Sequence, residues 1–438
     1  MLLNAADKAL WRLALPMIFS NITVPLLGLV DTAVIGHLDS PVYLGGVAVG
    51  ATATSFLFML LLFLRMSTTG LTAQAWGAKD PQRLARALVQ PLALALGAGV
   101  LIILLRLPLI DLALHIVGGS EAVLEQARRF LEIRWLSAPA SLANLVLLGW
   151  LLGVQYARAP VILLVVGNLL NIVLDLWLVM GLRMNVQGAA LATVTAEYAT
   201  LIIGLLMAKR VLTLRGVSLA MLKNAWRGDL RRLLALNRDI MLRSLLLQLC
   251  FGALTVFGAR LGSDIVAVNA VLMTMLTFTA YALDGFAYAV EAHSGQAYGA
   301  RDGSQLLEVW RAACRQSCMV ALAFALIYSL AGQYIIALLT SLPSLQQLAD
   351  RYLIWQTILP VVGVWCYLLD GMFIGATRGA EMRNSMAVAA AGFAVTLLTL
   401  PVLGNHGLWL ALGVFLALRG LSLALIWRRH WRRGTWFS

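Results

Sequence analysis

Apolar runs of roughly 20 residues, the length a helix needs to cross a bilayer, recur along the whole 438-residue chain, broken only by short segments carrying Arg, Lys, Gly or Pro. In hydrocarbon each backbone N–H and C=O must be satisfied within its own segment, so such runs form helices. The pattern predicts an all-α integral membrane protein with twelve transmembrane helices, near residues 10–36, 44–66, 84–106, 122–150, 160–181, 187–212, 231–260, 264–290, 305–330, 347–374, 384–403 and 407–428. Composition agrees: 61% hydrophobic and 12% charged cannot supply the surface of a soluble globule. Residues Met1 to Lys8 lack the basic and short apolar regions of a cleaved signal, so the first span is expected to start there.

The halves repeat. Gln74-Ala75-Trp76-Gly77-Ala78-Lys79-Asp80 matches Gln296-Ala297-Tyr298-Gly299-Ala300-Arg301-Asp302 at an offset of 222 residues. The same offset pairs Gly36 with Gly258, Phe130 with Tyr352 and Gly153 with Gly375, while Pro139 and Pro360 agree within one residue. Six helices per copy is even, so both copies enter the membrane in the same direction as two pseudo-symmetric six-helix bundles. Their expected extents are 1–222 and 223–438, with a substrate cavity between them, as such pairs commonly have.

The net charge of +13 is scattered in short clusters rather than gathered on one basic face, which argues against nucleic acid. Lys79, Arg83 and Arg86, Arg158, the stretch from Lys209 to Arg232, Arg301 and Arg311, Arg378 and Arg383, and the C-terminal Arg428 to Arg433 all fall on one side of the predicted spans. By the positive-inside rule that side, with both termini, is cytoplasmic.

A carboxylate in a span costs about 2.5–3.5 kcal/mol even on lenient insertion scales, so intramembrane acids mark function or a dedicated partner. Asp31 on helix 1 and Asp175 on helix 5 lie at similar depth; Asn171 shares a face with Asp175, and Thr193 on helix 6 reaches the same layer with Glu197 one turn deeper. Two carboxylates buried together repel and are poorly hydrated, which favours a bound proton. The other reading is a permanently hydrogen-bonded network with Asn171 and Thr193. At the repeat offset Asp31 becomes Ala253 and Asp175 becomes Leu397, so the acids are not shared architecture. Asp284 and Asp370 in the second half could line a cavity from the inner side or cap a helix break at the glycine that follows each; the other reading is snorkelling to the inner interface or pairing with Arg378 or Arg383. Pro16 and Pro25 permit bends in helix 1.

Cys250, Cys314, Cys318 and Cys366 lack metal or redox spacing and read as packing residues, and His37, His115, His293, His406 and His430 are scattered, so neither a metal nor a catalytic constellation is expected. The run Asp31 to His37, the repeated Gln-Ala-aromatic-Gly-Ala-basic-Asp loops, Asn171 with Asp175, and Gly188 to Thr193 together resemble the MATE transporters, most closely their DinF branch. The resemblance spans nearly the whole chain. It implies cation-coupled antiport of drugs and other xenobiotics, no cofactor, and an N-lobe cation site at Asp31, Asn171, Asp175 and Thr193 with Pro16 as hinge. Helix 7 has no acid between Leu245 and Phe257, unlike the sodium-coupled branch, which favours protons over sodium. Asp370 resembles an acid of that branch and could form a second cation site.

The expectation is therefore a monomeric proton-coupled exporter of amphipathic or cationic small molecules in the inner membrane. Its rivals are a lipid-linked precursor flippase, which would need a strongly basic cavity where the sequence offers Arg65 and Arg134 near span ends and Arg243 close to Asp239, and a membrane-embedded enzyme, for which no nucleophile and base stand out. Trp150 and Phe286 are the candidate aromatic ligand contacts.

Overall fold

The computed structural model describes residues 4–38, 40–228 and 230–438, apart from the side chains of residues 23–33. Twelve long helices follow in order: α1 Ala5–Gly36, α2 Pro41–Gly77, α3 Pro81–Leu104, α4 Glu121–Gly153, α5 Arg158–Gly181, α6 Asn185–Leu214, α7 Leu230–Arg260, α8 Ser263–Ala300, α9 Gly303–Leu339, α10 Pro343–Gly375, α11 Gly379–Leu403 and α12 Asn405–Arg433. Eleven of them, α2 to α12, are long and apolar enough to span a bilayer over their described residues, and α1 has 32 residues, about 48 Å at 1.5 Å per residue. Short helices Arg106–Val117 and Leu219–Asn224 fill the longer connections. Helix α1 is helical without a break through Pro16 and Pro25.

The Gln-Ala-aromatic-Gly-Ala segments, expected as loops, are instead the last turns of α2 and α8. The chain leaves each helix through a left-handed residue, Lys79 and Arg301, both at φ 54°. The next residue then caps the following helix: Asp80 accepts from the amides of Gln82 and Arg83, and Asp302 from that of Gln305. One amphipathic turn thus ends one span and starts another, which explains why hydropathy alone ends these spans too early.

The repeat is visible in packing. Without a hydrophobic force between helices in lipid, small residues let backbones approach. A Cβ on Gly149 would lie 2.6 Å from the Arg65 carbonyl oxygen, and one on Gly371 would lie 2.7 Å from that of Ala287. A Cβ on Gly153 would meet Thr72 at 2.7 Å, and one on Gly375 would meet Ser294 at 2.5 Å. All four residue pairs are related by the 222-residue offset, so the duplicated chain makes duplicated contacts. The most apolar windows of α4 and α10 are 78% and 72% buried, those of α5 and α11 both 17%, which makes α4 and α10 inner helices and α5 and α11 lipid-facing ones.

Two compact units result, residues 23–234 and residues 1–22 with 235–438. The expected division at 222 differs, because the first half of α1 is built into the second unit. Trp11 stands edge-on to Phe286 at 5.0 Å between ring centroids and donates to Gln316 Oε1 at 2.9 Å. Asp7 pairs with Arg315 at 2.9 Å, and Gly285 leaves room for Ile18, which a Cβ there would approach to 2.2 Å.

Candidate functional site

In the unit spanning residues 23–234, α5 carries Asn171 and Asp175 one turn apart, 1% and 0% exposed, and α6 packed beside it carries Thr193, 7% exposed. Immediately after Asp175 the helix widens into a π-helical turn, Leu176–Gly181, closed by the Leu182 amide donating to the Trp177 carbonyl at 2.9 Å. Such bulges recur at functional sites because they re-aim the adjacent side chains. Nothing in the local sequence signals it. The Thr193 hydroxyl donates to the Ala189 carbonyl at 3.1 Å, while neither Nδ2 nor Oδ1 of Asn171 has a hydrogen-bond partner among the described residues. A buried amide left unsatisfied costs about 1–3 kcal/mol, so native chains keep one only for a reason. Asp31 lies on α1 among the side chains outside the described set.

Glu197 sits one turn beyond Thr193 on α6. It accepts from Asn144 Nδ2 at 3.0 Å and lies 4.0 Å from Arg134, whose guanidinium stands over the Phe58 ring at 5.4 Å. It therefore belongs to a polar group with α4. Pro16 is half-buried on the part of α1 that belongs to the other unit.

In that other unit Asp370 on α10 is gripped by two arginines: Arg243 on α7 donates at 2.6 Å, and Arg419 on α12 donates to the same carboxylate oxygen. All three are under 10% exposed. One of the two readings left open for Asp370 is corrected here. Asp370 neither snorkels nor pairs with Arg378 or Arg383, because Arg378 pairs with Glu381 at 2.9 Å and Arg383 with Asp239 at 2.6 Å. Arg243 accordingly serves Asp370 rather than Asp239. Arg419 is not among the residues expected from the sequence, where it announces itself only as a single cation midway along the apolar run of α12. Asp284 on α8 is half-buried in the same unit.

Trp150 and Phe286 are core residues rather than ligand contacts, both 0% exposed, Trp150 donating to the Leu84 carbonyl at 3.1 Å. No group of three or more His, Cys, Asp or Glu suited to a metal is gathered among the described residues.

The MatE family profile matches this chain twice, over residues 16–177 and 240–403, one copy per repeat. The chain belongs to the MATE family. It is 87% identical over 436 residues to DNA damage-inducible protein F of Escherichia coli (strain K12), covering 100% of this chain and 95% of that protein, which places it in the expected DinF branch. A probable multidrug resistance protein NorM of Acinetobacter baylyi is 23% identical over 431 residues, 96% of this chain and 94% of that one. Among solved structures, a MATE in the bent conformation superposes with a TM-score of 0.85 at 24% identity, and an outward-facing multidrug resistance MATE transporter with 0.85 at 23%, each covering 98% of this chain and 96% of the other. The fold is that of the MATE transporters, and the chain is a membrane transporter rather than an enzyme.

Proposed function

We propose that this MATE protein exports small organic molecules, amphipathic or cationic, in exchange for protons across the inner membrane, working as a monomer by alternating access of its two bundles with both termini cytoplasmic. The coupling site is Asp31, Asn171, Asp175 and Thr193. The observation that carries this reading is the fully buried Asp175 one turn from a buried Asn171 amide with no hydrogen-bond partner among the described residues, at the mouth of a π-turn. Such a group answers to a proton, or to water that comes and goes with it.

The NorM relative, a probable multidrug resistance protein, supports small-molecule export as the theme. Pumping needs proton and substrate to bind with opposing preference, since an ion that binds both states equally shifts nothing. A protonated Asp175 in the outward-facing state would release substrate, and its deprotonation toward the inside would restore affinity. Pro16, which removes a backbone hydrogen bond from α1, permits a bend for that switch. Sodium is the lesser alternative. The flippase reading is disfavoured because both central arginines of α7 and α12 are committed to Asp370.

The test is pH-gradient-driven export of a fluorescent cationic dye from proteoliposomes. Asp175→Asn and Asp31→Asn should each lose at least about tenfold of proton-driven rate, in line with removal of a group the step requires, while dye binding persists. Undiminished export in both variants rejects the site. Export driven by a sodium gradient alone replaces the proton by sodium.

A further inference from the structure

Three arginines outside the proposed coupling site line one cavity. Arg83 and Arg86 stand on the first two turns of α3, and Arg232 stands in the first turn of α7; with Leu71, Gln90 and Leu233 they line a cavity of about 90 Å³. One water needs roughly 10–15 Å³ of such volume, so there is room for a tetrahedral oxyanion. All the lining residues belong to the unit spanning residues 23–234.

The walls are held in place from several directions. Gln90 donates to the Trp226 carbonyl at 3.4 Å, and Arg232 donates to Gln74 Oε1 at 3.4 Å. Gly228, at φ 148°, brings the loop backbone against Arg86: a Cβ there would lie 2.4 Å from Nε. That Nε is buried and has no hydrogen-bond partner among the described residues. Asp80, the nearest acid on α3, turns its Oδ1 to the amides of Gln82 and Arg83 as a helix cap. Asp229, next to Gly228, lies outside the described residues.

Like charges of this kind repel when gathered, at a cost that grows as water is excluded. The repeat shows that the cost is not one of architecture. At the 222-residue offset Arg83 becomes Gln305, Arg86 becomes Glu308 and Gln90 becomes Ala312, so the other copy folds the same helix start without this charge.

We infer that Arg83, Arg86 and Arg232 form a binding site for a phosphate-class oxyanion. Planar guanidinium groups suit phosphate oxygens by paired N–H donation. Because α3 begins at Pro81 and α7 at Leu230, the site lies within a turn or two of two span starts, at the level where phospholipid headgroups sit. The phosphate can therefore come from an anionic lipid or from solution.

The full-length protein in neutral detergent decides. Its thermal midpoint is titrated with phosphatidylglycerol in mixed micelles, with phosphatidylcholine as the control, and separately with inorganic phosphate. The wild type should respond to at least one anionic probe and not to phosphatidylcholine. Apparent affinity should fall roughly fivefold per arginine removed, so about 25-fold in Arg83→Gln/Arg86→Gln, and Arg83→Lys/Arg86→Lys, which keeps the charge but not the paired N–H donation, should fall between that variant and the wild type. A phosphatidylglycerol response alone assigns the lipid; a response to inorganic phosphate assigns the soluble anion. If the double variant does not fold, exposed Arg232→Gln should show the fivefold loss by itself. No wild-type response overturns the site, and so does an equal response in the variants.

Discussion

The two halves of the chain share a backbone and differ in what they place at its centre. Asn171, Asp175, Thr193 and Glu197 correspond at the 222-residue offset to Phe393, Leu397, Phe415 and Arg419. Where the first half keeps an amide, a carboxylate and a hydroxyl, the second packs Phe393 edge-on against Phe415 with ring centroids 6.1 Å apart. Even the break in the lipid-facing helix is shared in place and changed in kind, a π-turn after Asp175 and a 3-10 turn from Leu397 to Thr399. The acid at Glu197 has become the base at Arg419, and that base is tied with Arg243 to Asp370. Duplication therefore preserved the close backbone contacts and released the centre to diverge, one half keeping the buried polar groups of the proposed coupling site and the other an ion-paired carboxylate.

Charge removal separates the two centres most strongly. Asp370→Asn leaves two buried guanidinium groups uncompensated, and breaking a buried pair in this way costs about 3–5 kcal/mol. It should lower the thermal midpoint in detergent sharply and reduce the yield of folded protein. Asp175→Asn should change stability by under about 1 kcal/mol and so leave the midpoint nearly unmoved, since a group that cycles between charged and neutral forms, as proposed, tolerates a neutral isostere. Equal destabilisation by the two changes would erase the distinction and make Asp175 a structural residue.

A crowding experiment probes what the halves hold in common. Gly149→Val and Gly371→Val each drive a side chain into a carbonyl oxygen less than 3 Å from the Cβ position, and overpacking of this kind costs roughly 1–3 kcal/mol. The two losses should be similar in size, and in the double variant they should add to within about 0.5 kcal/mol, as distant sites do. A large loss at only one site would mean that the repeated contacts carry unequal strain.

Removing the amide sharpens the contrast in the opposite direction. Asn171→Leu should be neutral or stabilising by up to about 1–3 kcal/mol, because it deletes a buried polar group without a described partner, yet it should impair proton-driven export. Phe393→Leu at the matching position should only destabilise, by about 1 kcal/mol for lost packing. If Asn171→Leu instead lowers the midpoint, the amide has a structural partner and the exchangeable-site reading weakens.

The two centres also differ in how far the amino-acid sequence reveals them. Spans follow from hydropathy because lipid forces backbone polar groups inward, and helical spacing alone pairs Asn171 with Asp175 on one face. The Asp370 centre has no such signature. Arg243 and Arg419 are 127 and 49 residues away along the chain, and one arginine inside the α12 run leaves its mean hydropathy at 2.0, so neither the cation nor its partner breaks the pattern. The π-turn after Asp175 is hidden for a related reason: Leu176 to Gly181 reads as ordinary apolar helix. The placement of the first half of α1 depends on Trp11, Ile18 and Asp7 finding partners on α8 and α9, contacts that no local pattern encodes.

The smallest effect is the most discriminating about the repeat itself. Lys79 and Arg301 both sit at φ 54° as the turn leaves α2 and α8, a conformation that costs an L-residue roughly 1 kcal/mol and a glycine nothing. Lys79→Gly and Arg301→Gly should each stabilise by no more than about 0.6 kcal/mol once glycine's greater unfolded-state entropy, about 0.4–1 kcal/mol, is set against the relieved strain. Lys79→Asn and Arg301→Asn keep a side chain that tolerates the left-handed region and remove the charge, so they separate backbone strain from the loss of an interfacial cation. If the glycine and asparagine variants behave alike in both halves, the turns remain energetically equivalent copies. If Lys79→Asn alone lowers the midpoint, the cation next to the Arg83 and Arg86 pocket has acquired a binding role that its counterpart beside Gln305 and Glu308 lacks, and the divergence of the halves reaches the membrane surface as well as the centre.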